Sequence, residues 1–244
     1  MILKNFPSGF RAAVWGASGG LGAAFVERLA QEPHIGEVIA LSRAPLQAAP
    51  KVRTIRYTSA DPDALAEAAK EAAEGGPLHL VLSAIGTLHG QDFAPEKALR
   101  QLDPGAFLEV MRINTLLPAL IAKSSVGHLD PSRSVFGALS ARVGSLSDNR
   151  LGGWHSYRAS KAALNMMLKN IAIEVARKNK NAVILGLHPG TVDTALSEPF
   201  QANVPEGKLF TPQHSVERLL SVIDQAAPDQ SGRCLDYAGD IVPF

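Results

Sequence analysis

Short apolar runs alternate with stretches of helical periodicity along the whole chain. Compact runs rich in Val, Ile and Leu predict strands, and they lie at 12–15, 38–41, 52–57, 78–82, 132–139, 182–187 and 234–237. Segments in which apolar residues recur every three to four positions predict helices, and they lie at 23–31, 61–75, 103–114, 116–125, 157–176 and 211–226. This alternation predicts an α/β fold with one doubly wound parallel sheet, helices on both faces and a single domain over residues 1–244.

Prolines mark where several of these elements begin. Asp61-Pro62, Asp103-Pro104 and Thr211-Pro212 are each expected to open a helix, with Asp61 as an N-cap. Pro118 predicts a kink or a restart within an apolar helix. Residues 195–210 lack periodicity and predict a long irregular segment, and loops of this length usually serve as lids or binding loops. We therefore expect a substrate loop there.

The first predicted strand runs directly into a glycine-rich turn and a helix. Gly16, Gly20 and Gly22 form the spacing G-x-x-x-G-x-G, and Phe25 stands where the G-x-G-x-x-G form would have its third glycine. In such a turn the glycines let the backbone approach a ligand, while the free N–H groups at the helix start attract phosphate. Glycine turns without a ligand are common, but the strand–helix context favours nucleotide binding, as in a Rossmann fold.

The end of the second predicted strand bears on which dinucleotide is bound. Ser42 and Arg43 follow the glycines by about twenty residues, where an acidic side chain would accept hydrogen bonds from a ribose 2′-hydroxyl. The acid is absent, and a guanidinium suits a 2′-phosphate. Arg43 therefore favours NADP(H) over NAD(H), with a solvated surface arginine as the alternative interpretation.

Tyr157 and Lys161 lie four residues apart in the longest predicted helix, so both side chains leave the same face. A nearby ammonium favours the charged form of an acid, so Lys161 is expected to lower the pKa of Tyr157 from about 10. A tyrosine tuned in this way can exchange a proton with a reacting oxygen. An isolated Y-x-x-x-K is more often a surface pair, so the functional interpretation needs support from other residues.

Composition narrows the class of partner. The 244 residues carry a net charge of +1 with 19% charged residues, which does not suggest a basic face for nucleic acid, so small molecules or copies of the chain are the expected partners. Cys234 is the only cysteine, which excludes an intramolecular disulfide and predicts an inert buried thiol. No metal-ligand spacing and no uncharged apolar run of membrane length are recognised, so we expect a soluble cytoplasmic protein without membrane or metal.

In combination these motifs resemble the short-chain dehydrogenase/reductase family, and the resemblance covers nearly the whole chain. The glycine turn, an asparagine in a helix, a serine after the fifth strand, Tyr-x-x-x-Lys and Pro-Gly follow in the family's order, at Gly16, Gly20, Gly22, Asn114, Ser140, Tyr157, Lys161 and Pro189-Gly190. The stretch from Ser140 to Asn165 and the ending from Asp236 to Phe244 look most like the C-factor/sniffer branch, near the carbonyl reductases.

The resemblance implies hydride transfer between NADP(H) and a carbonyl or alcohol. Tyr157 would be the general acid, Ser140 would bind the same oxygen, Lys161 would lower the tyrosine pKa and bind the nicotinamide ribose, and Asn114 would hold a water-linked proton path. The cofactor would meet Gly16, Ser18, Gly20, Leu21, Gly22, Ser42, Arg43, Ala84, Gly86, Tyr157, Lys161, Pro189, Gly190, Val192 and Thr194. The family also implies a homodimer or homotetramer.

Several positions depart from the family pattern. Trp15 replaces the threonine before the first glycine, and Ser83-Ala84-Ile85-Gly86 replaces Asn-Asn-Ala-Gly after the fourth strand. The adenine-contacting aspartate aligns with Thr58. The usual three-residue interval before Gly144 falls on Ala141, one residue after Ser140, while Ser145 and Ser147 are poorer substitutes.

Two functions remain open on the sequence. The set of Asn114, Tyr157 and Lys161 favours an NADP-dependent carbonyl reductase. The branch resemblance and the altered Ser83-Ala84 stretch suit a non-enzymatic dinucleotide-binding signalling or sensor protein of the C-factor type. Five residues are candidates for an apolar substrate pocket, although each is also a plausible packing residue: Trp154, His155, Leu196, Phe200 and Phe210.

Overall fold

The computed structural model describes residues 1–58 and 60–244 and contains one parallel seven-stranded sheet. The strands are β1 (Phe10–Trp15), β2 (Ile35–Ser42), β3 (Val52–Arg56), β4 (Leu80–Ser83), β5 (Ser134–Leu139), β6 (Ala182–His188) and β9 (Arg233–Asp236), in the order β3-β2-β1-β4-β5-β6-β9. The chain order reverses direction between β1 and β4, and such a switch point opens a crevice at the carboxyl ends of the strands. The predicted doubly wound α/β sheet is confirmed.

Helices cover both faces of this sheet. They are α1 (Gly20–Ala30), α2 (Pro62–Ala72), α3 (Pro104–Met111), α4 (Leu117–Ser125), α5 (His155–Val175) and α6 (Pro212–Gln225). On one face α1 packs against α6, and on the other α4 packs against α2 and α5. Side chains of β1 alternate between the two cores, with Val14 in the first and Trp15 in the second. A central parallel strand is buried on both sides, which explains its continuous apolar sequence.

The predicted helix starts are confirmed by their capping bonds. Asp61 accepts a hydrogen bond from Asp63 N at 2.8 Å, and Asp103 accepts one from Ala106 N at 2.8 Å. Thr211 accepts one from His214 N at 3.2 Å. These side chains satisfy N–H groups that have no partner within the helix.

Two expectations about the later chain are refined by the structure. Pro118 lies in the first turn of α4, directly after a π-helical turn at Arg112–Leu116 through which α3 continues into α4, so the predicted kink or restart takes the form of an irregular turn without a break in the helix. The segment 195–210 is not irregular throughout. It contains a 3₁₀ helix, Glu198–Asn203, and a short strand β8 (Leu209–Phe210) that pairs with β7 (Thr191–Val192). This pairing ties the end of the segment to the chain that follows β6.

By length and composition alone, the continuous 25-residue helical segment Pro104–His128 could cross a membrane, because an 18-residue window within it has a mean hydropathy of 1.4; 39% of that window is buried. The search for an uncharged apolar run did not identify it, because Glu109, Arg112 and Lys123 interrupt the segment. In the fold, Ile121 and Ala122 of this segment are buried in the second core. A core helix meets the same two criteria.

Candidate active site

A cavity of about 260 Å³ lies at the switch point of the sheet, beside the glycine turn. It is lined by Gly19, Gly20, Leu21, Ala84, Ile85, Gly86, Leu139, Ser140, Tyr157, Lys161, Pro189, Thr194, Ala195 and Leu196. Four separate regions of sequence therefore meet here, namely the glycine turn, the end of β4, the end of β5 with α5, and the chain after β6. We call this space the cofactor cavity.

Tyr157 and Lys161 both face the cofactor cavity from α5, as their spacing predicts. Lys161 is buried, and its Nζ donates a hydrogen bond to Leu139 O at 2.9 Å. The same Nζ lies 5.6 Å from the centre of the Tyr157 ring. Gly144 lets the loop after β5 cross α5 closely, since a Cβ there would stand 2.8 Å from the Lys161 carbonyl carbon. The loop after β5 and α5 are thereby held together.

The predicted effect of Lys161 on Tyr157 is wrong for this structure. Burial raises the pKa of Tyr157 to about 12 and lowers the pKa of Lys161 to about 8. Both shifts have the same cause, because a low-dielectric surrounding disfavours the charged form of either group. The ammonium lies over the ring and bonds to a backbone carbonyl, so desolvation outweighs its attraction for a phenolate. Tyr157 is therefore a protonated phenol at neutral pH.

Ser140 lies in the cofactor cavity together with Tyr157, whereas Ser145 and Ser147 do not line it. Ser140 Oγ donates a hydrogen bond of 2.7 Å to Asn165 Oδ1. Asn165 is buried on α5, four residues after Lys161, and was not among the predicted site residues. The regular spacing Tyr157, Lys161, Asn165 on one helix face is the signal that would have found it.

Asn114 does not line the cofactor cavity but lies directly behind it. In the π-helical turn its side chain accepts from Thr87 N at 2.7 Å and donates to Thr87 O at 2.8 Å and to Ser160 Oγ at 3.0 Å. A Cβ at Gly86 would be 3.4 Å from Asn114 Oδ1 and 3.5 Å from Lys161 Nζ. Asn114 thus joins the chain after β4 to α5, next to the lysine. π-helical turns of this kind are frequent at functional sites.

The glycine turn leaves open space beside the start of α1. Gly16 has a φ of +80°, and a Cβ at Gly22 would collide with Gly16 O at 2.1 Å. A Cβ at Gly20 would stand 2.8 Å from Thr194 Cγ2, so a side chain would fill the cradle. The N-cap Gly19 brings no side-chain hydrogen bond to the start of α1. The first N–H groups of α1 remain available for an anion.

The crevice is less enclosed beside the end of β2. Ser42 Oγ donates to Ser18 Oγ at 3.0 Å and accepts from Ala44 N at 3.0 Å, which shapes the turn after β2. The Arg43 side chain is exposed, while its carbonyl accepts a hydrogen bond of 3.1 Å from Arg56 Nε. Thr58 is exposed as well. Ser18, Ser42 and Arg43 therefore lie outside the cofactor cavity.

A second cavity of about 480 Å³ opens beside the first and shares Ser140, Tyr157, Pro189, Thr194 and Leu196 with it. Its further lining includes Leu88, Leu151, Trp154, Gly190, Val192, Phe200 and Val204. We call it the substrate cavity because it is largely apolar and meets the catalytic candidates. Of the five predicted pocket residues, His155 and Phe210 do not line it. Phe210 packs instead on Tyr237 at 4.8 Å between ring centres.

His188 is a polar residue that lines the substrate cavity. It was not predicted as a site residue from the sequence. Its Nδ1 is buried without a hydrogen-bond partner among the described residues. Burial lowers the pKa of His188 to about 4, so its imidazole is neutral at physiological pH. Its position directly before Pro189, at the carboxyl end of β6, is the signal that could have indicated it.

Cys234 is buried, and burial raises the pKa of its thiol to about 12. A thiol in this state is a poor nucleophile, because the thiolate is the reactive form. The predicted inert role of this cysteine agrees with its surroundings.

The short chain dehydrogenase family model matches residues 11–205. A 1-hydroxy-2-glutathionyl-2-methyl-3-butene dehydrogenase from Rhodococcus sp. (strain AD45) is 36% identical over 132 residues, which cover 54% of this chain and 56% of that protein. The chain thus spans little more than half the length of this relative. The C-signal protein of Myxococcus xanthus is 33% identical over 148 residues, or 60% of this chain and 84% of the relative.

Solved structures agree in fold over almost the whole chain. The NADPH-bound carbonyl reductase from chicken fatty liver superposes with a TM-score of 0.81 at 23% identity, over 96% of this chain and 94% of that one. The carbonyl reductase Sniffer of D. melanogaster gives 0.83 at 18% identity, over 98% and 100%. These likenesses support the fold, and the family match covers most of the sequence. The chain belongs to the short-chain dehydrogenase/reductase family, with the C-signal protein among its relatives.

Proposed function

We propose that this protein is an NADP(H)-dependent oxidoreductase that reduces an apolar carbonyl compound to the alcohol. One observation carries the proposal. A single cavity brings Tyr157, Ser140 and Lys161 against the glycine turn and opens into an apolar cavity that shares the tyrosine and the serine. A substrate in the second space and a dinucleotide in the first would therefore meet at the Tyr157 hydroxyl.

The chain offers groups for each part of the dinucleotide. The N–H groups at Gly20 and Leu21 would hold the pyrophosphate, and Arg43 would pair with the 2′-phosphate. Lys161 would contact the nicotinamide ribose, while Pro189 and Thr194 would line the nicotinamide end. When bound, NADPH supplies the hydride. The exposed Arg43 is the group that would distinguish it from NADH.

Tyr157 would deliver the proton. Because burial raises its pKa to about 12, the phenol is protonated at neutral pH and ready to donate to the oxygen of a bound carbonyl. The Lys161 ammonium, with a pKa lowered by burial to about 8, stays largely protonated at pH 7. It would stabilise the phenolate that remains after the proton has moved. This pair favours reduction, since alcohol oxidation needs the phenolate at the start.

Ser140 and Asn114 would support the same step. The Ser140 hydroxyl donates to Asn165 and would have to turn toward the substrate oxygen to bind it. Asn114 would keep the chain after β4 against α5 and hold a water-linked proton path beside Lys161. Ser140 would therefore help to orient the carbonyl, while Asn114 would keep the lysine supplied with protons.

The lining of the substrate cavity favours an apolar class of substrate. Leu88, Leu151, Trp154, Phe200 and Val204 contribute apolar walls, so burial of an aromatic or branched aliphatic group would supply most of the binding energy. Relatives include a benzil reductase of Bacillus cereus, 24% identical over 161 residues. We therefore expect aromatic ketones and aldehydes to be better substrates than small hydrophilic ones. We also expect the protein to work in the cytoplasm as a homodimer or homotetramer.

The test is NADPH consumption by the purified protein with a panel of aromatic and aliphatic aldehydes, ketones and quinones, repeated with NADH and with the Tyr157→Phe variant. We expect turnover with NADPH that prefers aromatic carbonyls and is lost in the variant. Turnover that persists without the phenol would contradict the proton-donor role. A preference for NADH would contradict the role of Arg43.

A non-enzymatic role is the second candidate. The C-signal relative and the stretch after β4 favour it, because Ser83 Oγ is buried without a hydrogen-bond partner among the described residues and Ala84 brings no amide to the cavity. In that case NADPH would bind tightly while no carbonyl in the panel is reduced. A Tyr157→Phe protein would then behave like the wild type in cells.

A further inference from the structure

Glu96 is a buried carboxylate that lies outside both cavities yet contacts the start of the helix that carries Tyr157. Glu96 is 5% exposed. It belongs to residues 84–98, which contain no helix or strand. Among the described residues it forms no salt bridge. Its carboxylate accepts hydrogen bonds from Ser156 N at 3.2 and 3.3 Å and from Ser156 Oγ. A charge buried in this way needs a structural reason.

The start of α5 explains why such a partner is needed. The N-cap residue, Trp154, has a left-handed backbone with a φ of 50° and provides no side-chain cap. The first N–H groups of a helix have no partner within it, and a carboxylate there is favoured by the helix dipole. Glu96 supplies the missing acceptor from a distant part of the sequence. Ser156, which it binds, is the residue directly before Tyr157.

Glu96 also holds the left-handed residue itself. The Glu96 carbonyl accepts a hydrogen bond from Trp154 N at 2.5 Å. Gly153, with a φ of +65°, permits this approach, since a Cβ there would lie 3.3 Å from the same carbonyl oxygen. A non-glycine residue stays in this conformation only when its surroundings impose it. Both the main chain and the side chain of Glu96 therefore define the first turn of α5.

This first turn orients two rings of the site. The Trp154 ring lies 6.1 Å from the Tyr157 ring and 5.2 Å from the Phe200 ring, both in edge-on geometry. Trp154 and Phe200 are walls of the substrate cavity. A rotation of the first turn would therefore move the proton donor and one wall of the cavity together.

We propose that Glu96 is a positioning residue of the reaction, whose carboxylate caps α5 from outside and thereby sets where Tyr157 and Trp154 stand. The kinetic part of this proposal rests on the proposed carbonyl reduction, whereas the structural part does not. General acids lose effectiveness steeply when they are displaced by about 1 Å from the reacting atom. Loss of the cap should consequently lower kcat more than it lowers cofactor binding.

The experiment compares Glu96→Ala, Glu96→Gln and Glu96→Asp with Asp61→Ala, which removes the cap of α2 away from both cavities. We expect Glu96→Ala to lower kcat by about tenfold or more, with the Kd for NADPH within about twofold of the wild type. Glu96→Gln keeps an oxygen for Ser156 N and should recover most of kcat. Glu96→Asp, whose side chain is one methylene shorter, should not recover kcat. Asp61→Ala should lower the melting temperature while kcat stays near the wild type.

A second readout does not require turnover. Trp15 is fully buried, so acrylamide quenching of tryptophan fluorescence reports on the partly exposed Trp154, with Trp154→Phe as the reference. Quenching should increase in Glu96→Ala and stay unchanged in Glu96→Gln and Asp61→Ala. Wild-type protein that reduces no carbonyl would refute the proposed function and leave this second test intact.

The proposal is overturned if folded Glu96→Ala keeps both wild-type kcat and wild-type quenching. It is equally overturned if Asp61→Ala lowers kcat as much as Glu96→Ala does, because general destabilisation would then explain the effect. Should Glu96→Ala fail to fold, full activity and unchanged quenching in Glu96→Asp would overturn the proposal.

Discussion

The two ends of the crevice are built very differently. At the Tyr157 end, Lys161, Ser140 and Asn114 are buried. Lys161 hydrogen-bonds to the end of β5, and Ser140 and Asn114 both hydrogen-bond to α5. At the other end, beside the end of β2, the Arg43 side chain is exposed and the Arg43 carbonyl accepts a hydrogen bond from Arg56. Groups that act on a reacting atom must be in place beforehand, whereas a surface guanidinium can reach an anion as it arrives. Under the proposed function, the groups for the chemical step are therefore preorganised, and the group for cofactor choice is not.

The largest expected effect is at the buried end. Tyr157→Phe should lower kcat for carbonyl reduction by about 10²–10⁴-fold, because it removes the only proposed proton donor. NADPH affinity, measured by fluorescence titration, should change by less than about twofold. The matched control is Tyr237→Phe, which removes a phenol that packs on Phe210. Equal losses in both variants would show that the site does not depend on one phenol.

The pH dependence should differ between the two directions. The rate of carbonyl reduction should stay constant up to about pH 8 and decline above it, because Lys161, with a pKa of about 8, then loses its charge. Alcohol oxidation should instead rise by up to about tenfold per pH unit on the alkaline side, since it requires the phenolate of a tyrosine with a pKa of about 12. Initial rates in both directions from pH 6 to 10 test this. If the rates of reduction and oxidation changed with pH in the same way, the separate roles of Lys161 and Tyr157 in the two directions would be contradicted.

A substitution at the exposed end should have a smaller effect, and it should affect the KM for only one of the two cofactors. Arg43→Ala should raise the KM for NADPH by about tenfold, which corresponds to about 1.4 kcal/mol, and leave the KM for NADH unchanged. The reason is that the 2′-phosphate alone offers a partner to the guanidinium. Arg112→Gln, at the exposed first residue of the π-helical turn, serves as the control for charge loss. An equal rise in the KM for NADPH and for NADH would show that Arg43 does not distinguish the two cofactors.

The smallest expected effect concerns the substrate wall. Phe200→Ala should raise the KM for an aromatic ketone by about two- to tenfold, because it deletes an edge-on partner of Trp154. The KM for a small aliphatic aldehyde and the Kd for NADPH should stay nearly constant. Loss of NADPH binding in this variant would indicate that the wall also belongs to the cofactor cavity.

Local signals in the sequence predicted much of this arrangement. The strand and helix order, the cap at Asp61 and the shared helix face of Tyr157 and Lys161 all depend on residues close together in the chain, and the structure confirms them. The glycine turn belongs to the same group, because a tight backbone approach depends on the missing Cβ atoms.

Other features depended on contacts that periodicity does not contain. The pKa direction at Tyr157 was wrong because spacing reveals the nearby ammonium but not the burial that outweighs it. His155 and Phe210 were misplaced, and His188 and Asn165 were missed, because cavity walls combine chain segments distant in sequence. Glu96 stands sixty residues before Ser156, the residue it binds in the first turn of α5, so its role was likewise not visible from the sequence.

The sequence by itself determined the α/β order of elements, the phosphate-type glycine turn and the pairing of a phenol with an ammonium on one helix face. Each follows from backbone geometry over a few residues. The tertiary structure alone decided which groups are buried, which nitrogens and oxygens meet, and hence which of them carry a proton at neutral pH. Desolvation is a property of the packed surroundings, and those are assembled only when distant segments fold together.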